Sequence, residues 1–423
     1  MNIVFFVESY YHNAQMNGIC VERVASKLAS LGHNVKVFTS SKHVYDIPKY
    51  EKIDGVEVYA IKRDLDTFLR LYMKHDGKKH RILSFFHKYY AMLVHVVMSR
   101  RWPQRSFFTA SRYFHLSNKK TSNEKIDAII GTYFHIEEVL AAIKLKKKHP
   151  EATLITYTLD AMTGRESPLI FKRPELARRS IEKWEKKVYS MSDKICVMES
   201  HREHYEKGNY SSEILKKLKY VEVPLLELND NLVTKNDNNG KDKIIVYTGC
   251  ASEATGSPEF LIRLLKNITG VQLHLYGSIT EEVQKSIKES GLENKKVFFH
   301  GRLEHSEIIK VQEEADYLAT FGSVNACMIS GKIFEYLARK KPIICTYKID
   351  ADKNIEYIRK YPNSIIIREN ENNISEETEK LERFINCKDF KKIDNEFLRK
   401  TFCKSTPEAM IEEILEAKSK FNE

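Results

Sequence analysis

Residues 316–347 read DYLATFGSVNACMISGKIFEYLARKKPIICTY. The segment Asp316 to Thr320 is a short apolar run of strand type. It leads into the loop FGSVNACMIS, after which GKIFEYLARK carries apolar residues at helical spacing and PIICTY forms the next strand. A helix that starts at the carboxyl end of one strand and returns to a second is the unit of a parallel sheet. Ser330 stands where an N-cap belongs, the free backbone N–H groups of the first turn make an anion site, and Gly331 permits close approach. Lys332 adds a point charge in the same turn. Glu335 lies three residues on, on roughly the same face, where a carboxylate can accept hydrogen bonds from both hydroxyls of a ribose. The same residues also fit a simple cap followed by an ordinary i,i+3 surface ion pair.

Working outward, the strand and helix patterns alternate from end to end. Ile3 to Val7 is a strand, the loop to Gly18 turns the chain, Val21 to Leu31 has helical spacing, and Asn34 to Phe38 is the next strand. Further strands are expected at Ile126 to Gly131, Thr153 to Leu159, Lys194 to Met198 and Tyr220 to Val223. Between Glu227 and Lys243 the sequence turns polar and aperiodic, which marks a linker. The pattern restarts with strands at Ile244 to Tyr247, Leu273 to Tyr276, Val297 to Phe299, Tyr317 to Ala319 and Ile343 to Thr346. The expected fold class is therefore α/β, with two Rossmann-like doubly wound domains, 1–226 and 244–405, facing a central cleft. Residues 406–423 form a C-terminal amphipathic helix, expected to pack back on the N-terminal domain. Ligands in such sheets bind at the carboxyl ends of the strands, so function belongs in the loops that follow them.

A hydrophobic fraction of 42% with 30% charged residues in 423 residues is the balance of a globular protein with cores to bury. The N-terminus MNIVFFVESYYH lacks the basic and apolar regions of a signal peptide. Seven cysteines, odd in number and never in a C-x-x-C pair, indicate neither a disulfide framework nor a zinc site, and point to a reducing cytoplasm.

SGKIFEYLARKKPII, with the strand and loop before it, resembles the donor-site segment of retaining glycosyltransferases of the GT-B architecture, and most closely glycosyltransferase family 4. Supporting matches are IVFFVESYYH, LASLGHNVKVFT, VEVP, IIVYTG, HLYG and VFFHGRL, so the resemblance spans most of the chain outside residues 64–120. It implies transfer of a sugar, hexosyl or N-acetylhexosaminyl, with retention and without a catalytic metal or other cofactor. The donor is a nucleotide sugar and the acceptor a glycan or lipid-linked sugar, in polysaccharide or glycoconjugate synthesis. By position it places Lys332 on the donor diphosphate, Glu335 on the ribose, and the amides around Ser330 and Gly331 on phosphate oxygens. Gly249, Arg302 and Asn325 join the donor-binding set. Gly18 lies in a loop that approaches the transferred sugar, and Asp160 stands with Lys332 as a catalytic residue near sugar or acceptor. An Asp after a strand also serves as a loop cap, and His135, a lone His at a helix start, fits either a cleft residue or a structural one. Two departures matter: Cys327 occupies the position eight before Glu335 where the family has a second glutamate, and GCASEATGSPEF after the first strand of the second domain lacks a basic clamp for which Arg302 is the substitute.

The net charge of +11 is concentrated: residues 74–120 hold eleven Lys/Arg against one acid, Asp76, a local charge of +10. Within this segment ILSFFHKYYAMLVHVVM (82–98) is too short and too charged for a membrane span. Two readings are open, a basic aromatic element on an anionic membrane surface and a core helix with solvated basic flanks. The first puts the protein at the inner membrane face; no nucleic-acid recognition motif accompanies the charge.

Rival chemistries lack their signatures. A phosphate-binding loop needs G-x-x-x-x-G-K-[ST], but Ile333 follows Lys332. A nicotinamide enzyme needs G-x-G-x-x-G after the first strand, which VESYYHNAQMNG does not contain. Asp350-Ala351-Asp352 and Asp64-Leu65-Asp66 match the D-x-D form of metal-dependent transferases without following the nucleotide-binding half-sheet that form requires. The alternative from another class is a glycosyltransferase-like partner subunit that retains the fold without the chemistry, motivated by Cys327 and the missing clamp.

Overall fold

The computed structural model describes the chain apart from residues 13, 41–47, 63–68, 70–71, 74–79, 100, 107, 165–173, 229–241, 253–255, 325–328 and 417–423, and apart from the side chains of 95, 99 and 305. Asn325, Cys327, the Asp64–Asp66 triplet and most of the polar linker thus lie outside the described residues. The chain divides into two compact units, residues 1–224 with 404–423, and residues 225–403.

The first unit holds an eight-stranded sheet: β1 (Asn2–Val7), β2 (Asn34–Thr39), β3 (Tyr50–Ile53), β4 (Val56–Ala60), β5 (Ala128–Tyr133), β6 (Thr153–Thr158), β7 (Lys194–Met198) and β8 (Leu218–Val221). Their order is β3-β4-β2-β1-β5-β6-β7-β8, and only β3 runs antiparallel to its neighbour. β1 lies centrally, with Phe5 opposite Val37 on one side and Ile130 on the other. Its run Ile3–Val7 is buried throughout, as expected of a parallel strand covered on both faces. The hairpin β3–β4 turns at Asp54-Gly55, both in the left-handed region with φ of 49° and 81°.

The first helix begins at Met16, earlier than Val21, so Gly18 lies in its first turn and not in a loop. Its Cβ position is filled by the Ser9 carbonyl, and glycine lets the helix start against the loop after β1. The last described helix, Pro407–Leu415, belongs to the first unit. It buries Met410, Ile411 and Ile414, and Glu413 accepts Lys194 Nζ of β7 at 2.8 Å.

The second unit holds six parallel strands: β9 (Lys243–Ala251), β10 (Val271–Ile279), β11 (Val297–Gly301), β12 (Tyr317–Phe321), β13 (Ile343–Tyr347) and β14 (Ser364–Arg368), in the order β11-β10-β9-β12-β13-β14. The order reverses at β9, which has β10 on one side and β12 on the other. That reversal is the topological switch point at which open α/β sheets bind ligands. The six described cysteines are free thiols.

Candidate functional site

The helix Lys332–Arg339 follows β12 at this switch point. Ile333, Phe334, Tyr336, Leu337 and Ala338 are buried against the unit, which leaves Lys332, Glu335 and Arg339 as one partly exposed stripe. Lys340 ends the helix in the left-handed conformation with φ 56°, and Pro342 follows. The Tyr336 hydroxyl fixes the helix to β9: it accepts Thr248 N–H at 2.9 Å and lies 3.1 Å from Thr248 Oγ1, which also accepts Gln312 Nε2 at 3.1 Å.

This anchoring sets Lys332 over the end of β9. Its Nζ donates to the Tyr247 hydroxyl at 3.1 Å and stands 4.7 Å from the Tyr247 ring centroid. A Cβ on Gly249 would fall 2.8 Å from Lys332 Cδ, so the lysine stem needs a glycine beneath it. Gly249 itself lies within the long strand β9 and not after it, with φ 138°. Gly277 sits opposite it in β10 with φ 123°, and its Cβ position is filled by the Gly249 carbonyl. Two facing glycines thus thin the strand ends where a ligand would approach. Burial lowers the Lys332 pKa below its usual 10.5, with Tyr336, Glu335 and Cys250 opposing the shift.

The ion pair of the simpler reading does not form. Lys332 turns to Tyr247, and the Glu335 carboxylate has no ion pair or hydrogen bond among the described residues. Ser330 is not the N-cap either: Gly331 takes that place, and Ser330 N–H donates to Asn354 Oδ1 at 2.8 Å. The first intrahelical donors are Ile333 and Phe334, which leaves the N–H groups of Gly331 and Lys332 without a described acceptor. Two N–H groups, one ammonium and one carboxylate are therefore available at a single helix start.

The loop before that helix is tied at both ends to one buried pair. Asp352 accepts Ser323 N–H through Oδ2 at 2.9 Å, and its Oδ1 accepts Asn354 N–H at 2.9 Å and Asn354 Nδ2 at 2.6 Å. Asn354 then holds Ser330. Gly322 is required here, because a Cβ would collide with Asp352. Asp352 thus has a structural task, and Asp350 pairs with Arg368 at 3.1 Å. Neither Asp352 nor Asn354 is legible from sequence as a site residue: the D-x-D triplet that contains Asp352 is set aside as a metal signature, and no local pattern marks Asn354. Arg302, exposed at the end of β11, donates through Nε to Ser278 Oγ at 2.8 Å. It lies at the same sheet edge, two strands from β9.

In the first unit, Asp160 follows β6, is exposed, and has no described hydrogen-bond or ion-pair partner. The turn beyond it, Met162–Gly164, is held from behind by buried Glu185, which takes hydrogen bonds from the backbone of Met162 and Thr163 and from the hydroxyls of Tyr210 at 2.8 Å and Tyr189 at 3.4 Å. Burial raises the Glu185 pKa to about 7. His135 is buried, starts the helix Ile136–Lys146, and its Nδ1 lies 3.4 Å from Glu8 Oε2. Its backbone N–H donates to Glu138 Oε2 at 3.1 Å, which ties it to the helix start, a structural duty.

Solved structures similar to the chain cover nearly all of it. A sucrose-phosphate synthase from Thermosynechococcus elongatus matches with a TM-score of 0.63 at 12% identity, covering 100% of this chain and 99% of its own. The Anabaena protein Alr3699/HepE in complex with UDP matches with a TM-score of 0.58 at 14% identity over 99% of this chain and 100% of its own. The lipopolysaccharide outer core galactosyltransferase WaaB, in its apo form, matches with a TM-score of 0.56 at 13% identity over 99% of both chains. The fold is that of the GT-B glycosyltransferases. No family model matches the chain, and no curated protein matches its sequence. At these identities the likeness concerns the fold.

Proposed function

We propose that the protein is a glycosyltransferase that moves a hexosyl or N-acetylhexosaminyl group from a nucleotide sugar to a glycan or lipid-linked acceptor, with retention, in polysaccharide or glycoconjugate synthesis. The observation that carries this reading is the placement of Lys332 over Gly249 at the switch point of the second sheet, beside two N–H groups with no described acceptor. When the bond from the anomeric carbon to the diphosphate oxygen breaks, negative charge gathers on the diphosphate. Lys332 and the helix terminus meet that charge, already oriented, so the transfer needs no metal cation. Glu335 holds the ribose hydroxyls, and Arg302 stands as a further cation at the sheet edge. Asp160 and Gly18 serve the sugar and acceptor side. The segment 74–120 presents the protein to an anionic membrane surface, where a lipid-linked acceptor would be found.

One neighbour was solved with UDP and another solved complex of the same protein holds UDP-glucose, which makes UDP the first probe. A thermal-shift screen with nucleoside diphosphates and their sugars is expected to raise the midpoint with one base above the others. Turnover with the selected donor should fall in Lys332→Ala. If no nucleotide shifts the midpoint, the donor reading fails; binding without any turnover would favour a non-catalytic partner subunit.

A further inference from the structure

The helix Arg81–Ser99 is apolar on its outward side as well as on its inward one, which a water-facing element is not. Its inward side is built from Leu83, His87, Tyr90, Ala91 and Val94, which are partly covered, and from buried Met98. Its outward side carries Ile82, Phe85, Phe86, Tyr89, Met92, Leu93, Val96 and Val97, all exposed, with Ile82 at 76%, Phe86 at 65% and Leu93 at 64%. At about 100° per residue these fall within an arc of roughly 140°. The rings of Phe85 and Tyr89 lie 4.6 Å apart, tilted by 54°, and both remain exposed. A contiguous apolar strip of this kind on a folded protein marks an interaction face.

The far end of the helix is fixed to the first unit. Trp102 is buried in the core and its carbonyl accepts Ser180 Oγ at 2.6 Å, while Glu137 Oε1 accepts the N–H groups of Arg105 and Ser106 at 2.6 and 2.7 Å. The exposed strip therefore belongs to a structured element and not to a loose tail.

Charge selects the occupant. Arg81 and Lys88 border one edge of the strip on the helix, Arg101, Arg105 and Arg112 follow it, and residues 74–120 as a whole carry +10. A second copy of the chain would set two such segments against each other and be repelled. No described helix is long and apolar enough to cross a membrane. An apolar strip bordered by Arg81 and Lys88, with Arg101, Arg105 and Arg112 beyond its end, suits a surface that is both apolar and anionic.

We infer that the helix Arg81–Ser99 lies flat in an anionic lipid bilayer surface, with Ile82, Phe86 and Leu93 entering the acyl boundary and the flanking Arg and Lys meeting lipid phosphates. The inference deepens the membrane partner of the proposed function, yet its footing is the exposed strip and its charge. The test is flotation of the full chain with vesicles of phosphatidylcholine alone and of equimolar phosphatidylcholine and phosphatidylglycerol. The wild type should partition at least about tenfold more onto the anionic vesicles, and added salt should weaken this. Phe86→Asp with Leu93→Asp, both at exposed positions, should lower that partition at least about tenfold with an unchanged thermal midpoint. Arg81→Gln with Lys88→Gln should lower it by on the order of tenfold on anionic vesicles only. Lys332→Met should float as the wild type does; wild-type flotation without any nucleotide binding would retain the docking face and remove the donor reading. Equal partition onto both vesicle types, or wild-type partition by the Phe86/Leu93 variant, overturns the inference. So does a wild-type dimer in sedimentation that this variant dissolves, since the strip would then belong to a second copy.

Discussion

Replacing Lys332 by Met removes the ammonium while leaving an unbranched side chain over Gly249. A hydrogen bond to a charged group contributes about 1.5–3 kcal/mol. A cation about 4 Å from a phosphate charge at an effective dielectric near 20 contributes about 4 kcal/mol. Together these put the loss at roughly 2–4 kcal/mol, a rise in the dissociation constant for UDP of about 30- to 1,000-fold. The fold should hold, because the helix is anchored by Tyr336 on Thr248 and not by Lys332. Isothermal titration calorimetry with UDP, alongside a melting curve, reads both quantities. The pH dependence adds a signature. Burial depresses the Lys332 pKa in the free protein, and a bound diphosphate favours the charged form, so binding takes up protons near the free-state pKa. Wild-type affinity should then fall as pH rises through that value, below the usual 10.5, and Lys332→Met should lack that fall. A variant that binds UDP within about threefold of the wild type would refute the assignment.

Glu335→Gln should weaken UDP by about tenfold while leaving inorganic pyrophosphate unaffected, since only the nucleotide has ribose hydroxyls; an equal loss for both ligands, seen by calorimetry, contradicts the ribose role. Asn354→Ala leaves the Ser330 N–H without its acceptor and deprives Asp352 of a partner, with an expected destabilisation of about 1–3 kcal/mol in denaturant titration and about tenfold weaker UDP. Unaltered affinity would show that this pair does not position the helix start. Glu185 is 1% exposed and its pKa is raised to about 7 from 4.5. Its protonated form favours folding, so the stabilisation is present below about 4.5 and lost as pH rises through 7, a loss of about 3 kcal/mol. Glu185→Gln should flatten that decline in urea unfolding at pH 5 and 9. Parallel curves for variant and wild type would count against it.

Most of the architecture was legible because buried parallel strands are continuous apolar runs, as in IVFFV and PIICTY, and each is followed by a helical period. The helix carrying Lys332 and Glu335 was legible for the same reason. What the sequence hid was of two kinds. The edge hairpin Tyr50–Ala60 of the first sheet is short and charged, though its Asp54-Gly55 turn was a readable signal, and β14 is a five-residue run at an edge of the second sheet. The supports of the site were hidden more deeply. Tyr336 reaching Thr248, Gly277 facing Gly249, and Asp352 with Asn354 tying Ser323 to Ser330 are pairings between distant segments, and no local period or spacing announces them. The reading of Ser330 as a cap failed because the helix starts one residue later, with Gly331 as N-cap, and Ser330 is held instead by Asn354, 24 positions on.

The most direct measurement is a crystal structure of the protein with UDP bound. The diphosphate is expected within about 3 Å of Lys332 Nζ and of the Gly331 and Lys332 N–H groups, with the ribose hydroxyls on Glu335. A nucleotide bound elsewhere, with Lys332 still directed at Tyr247, would contradict it.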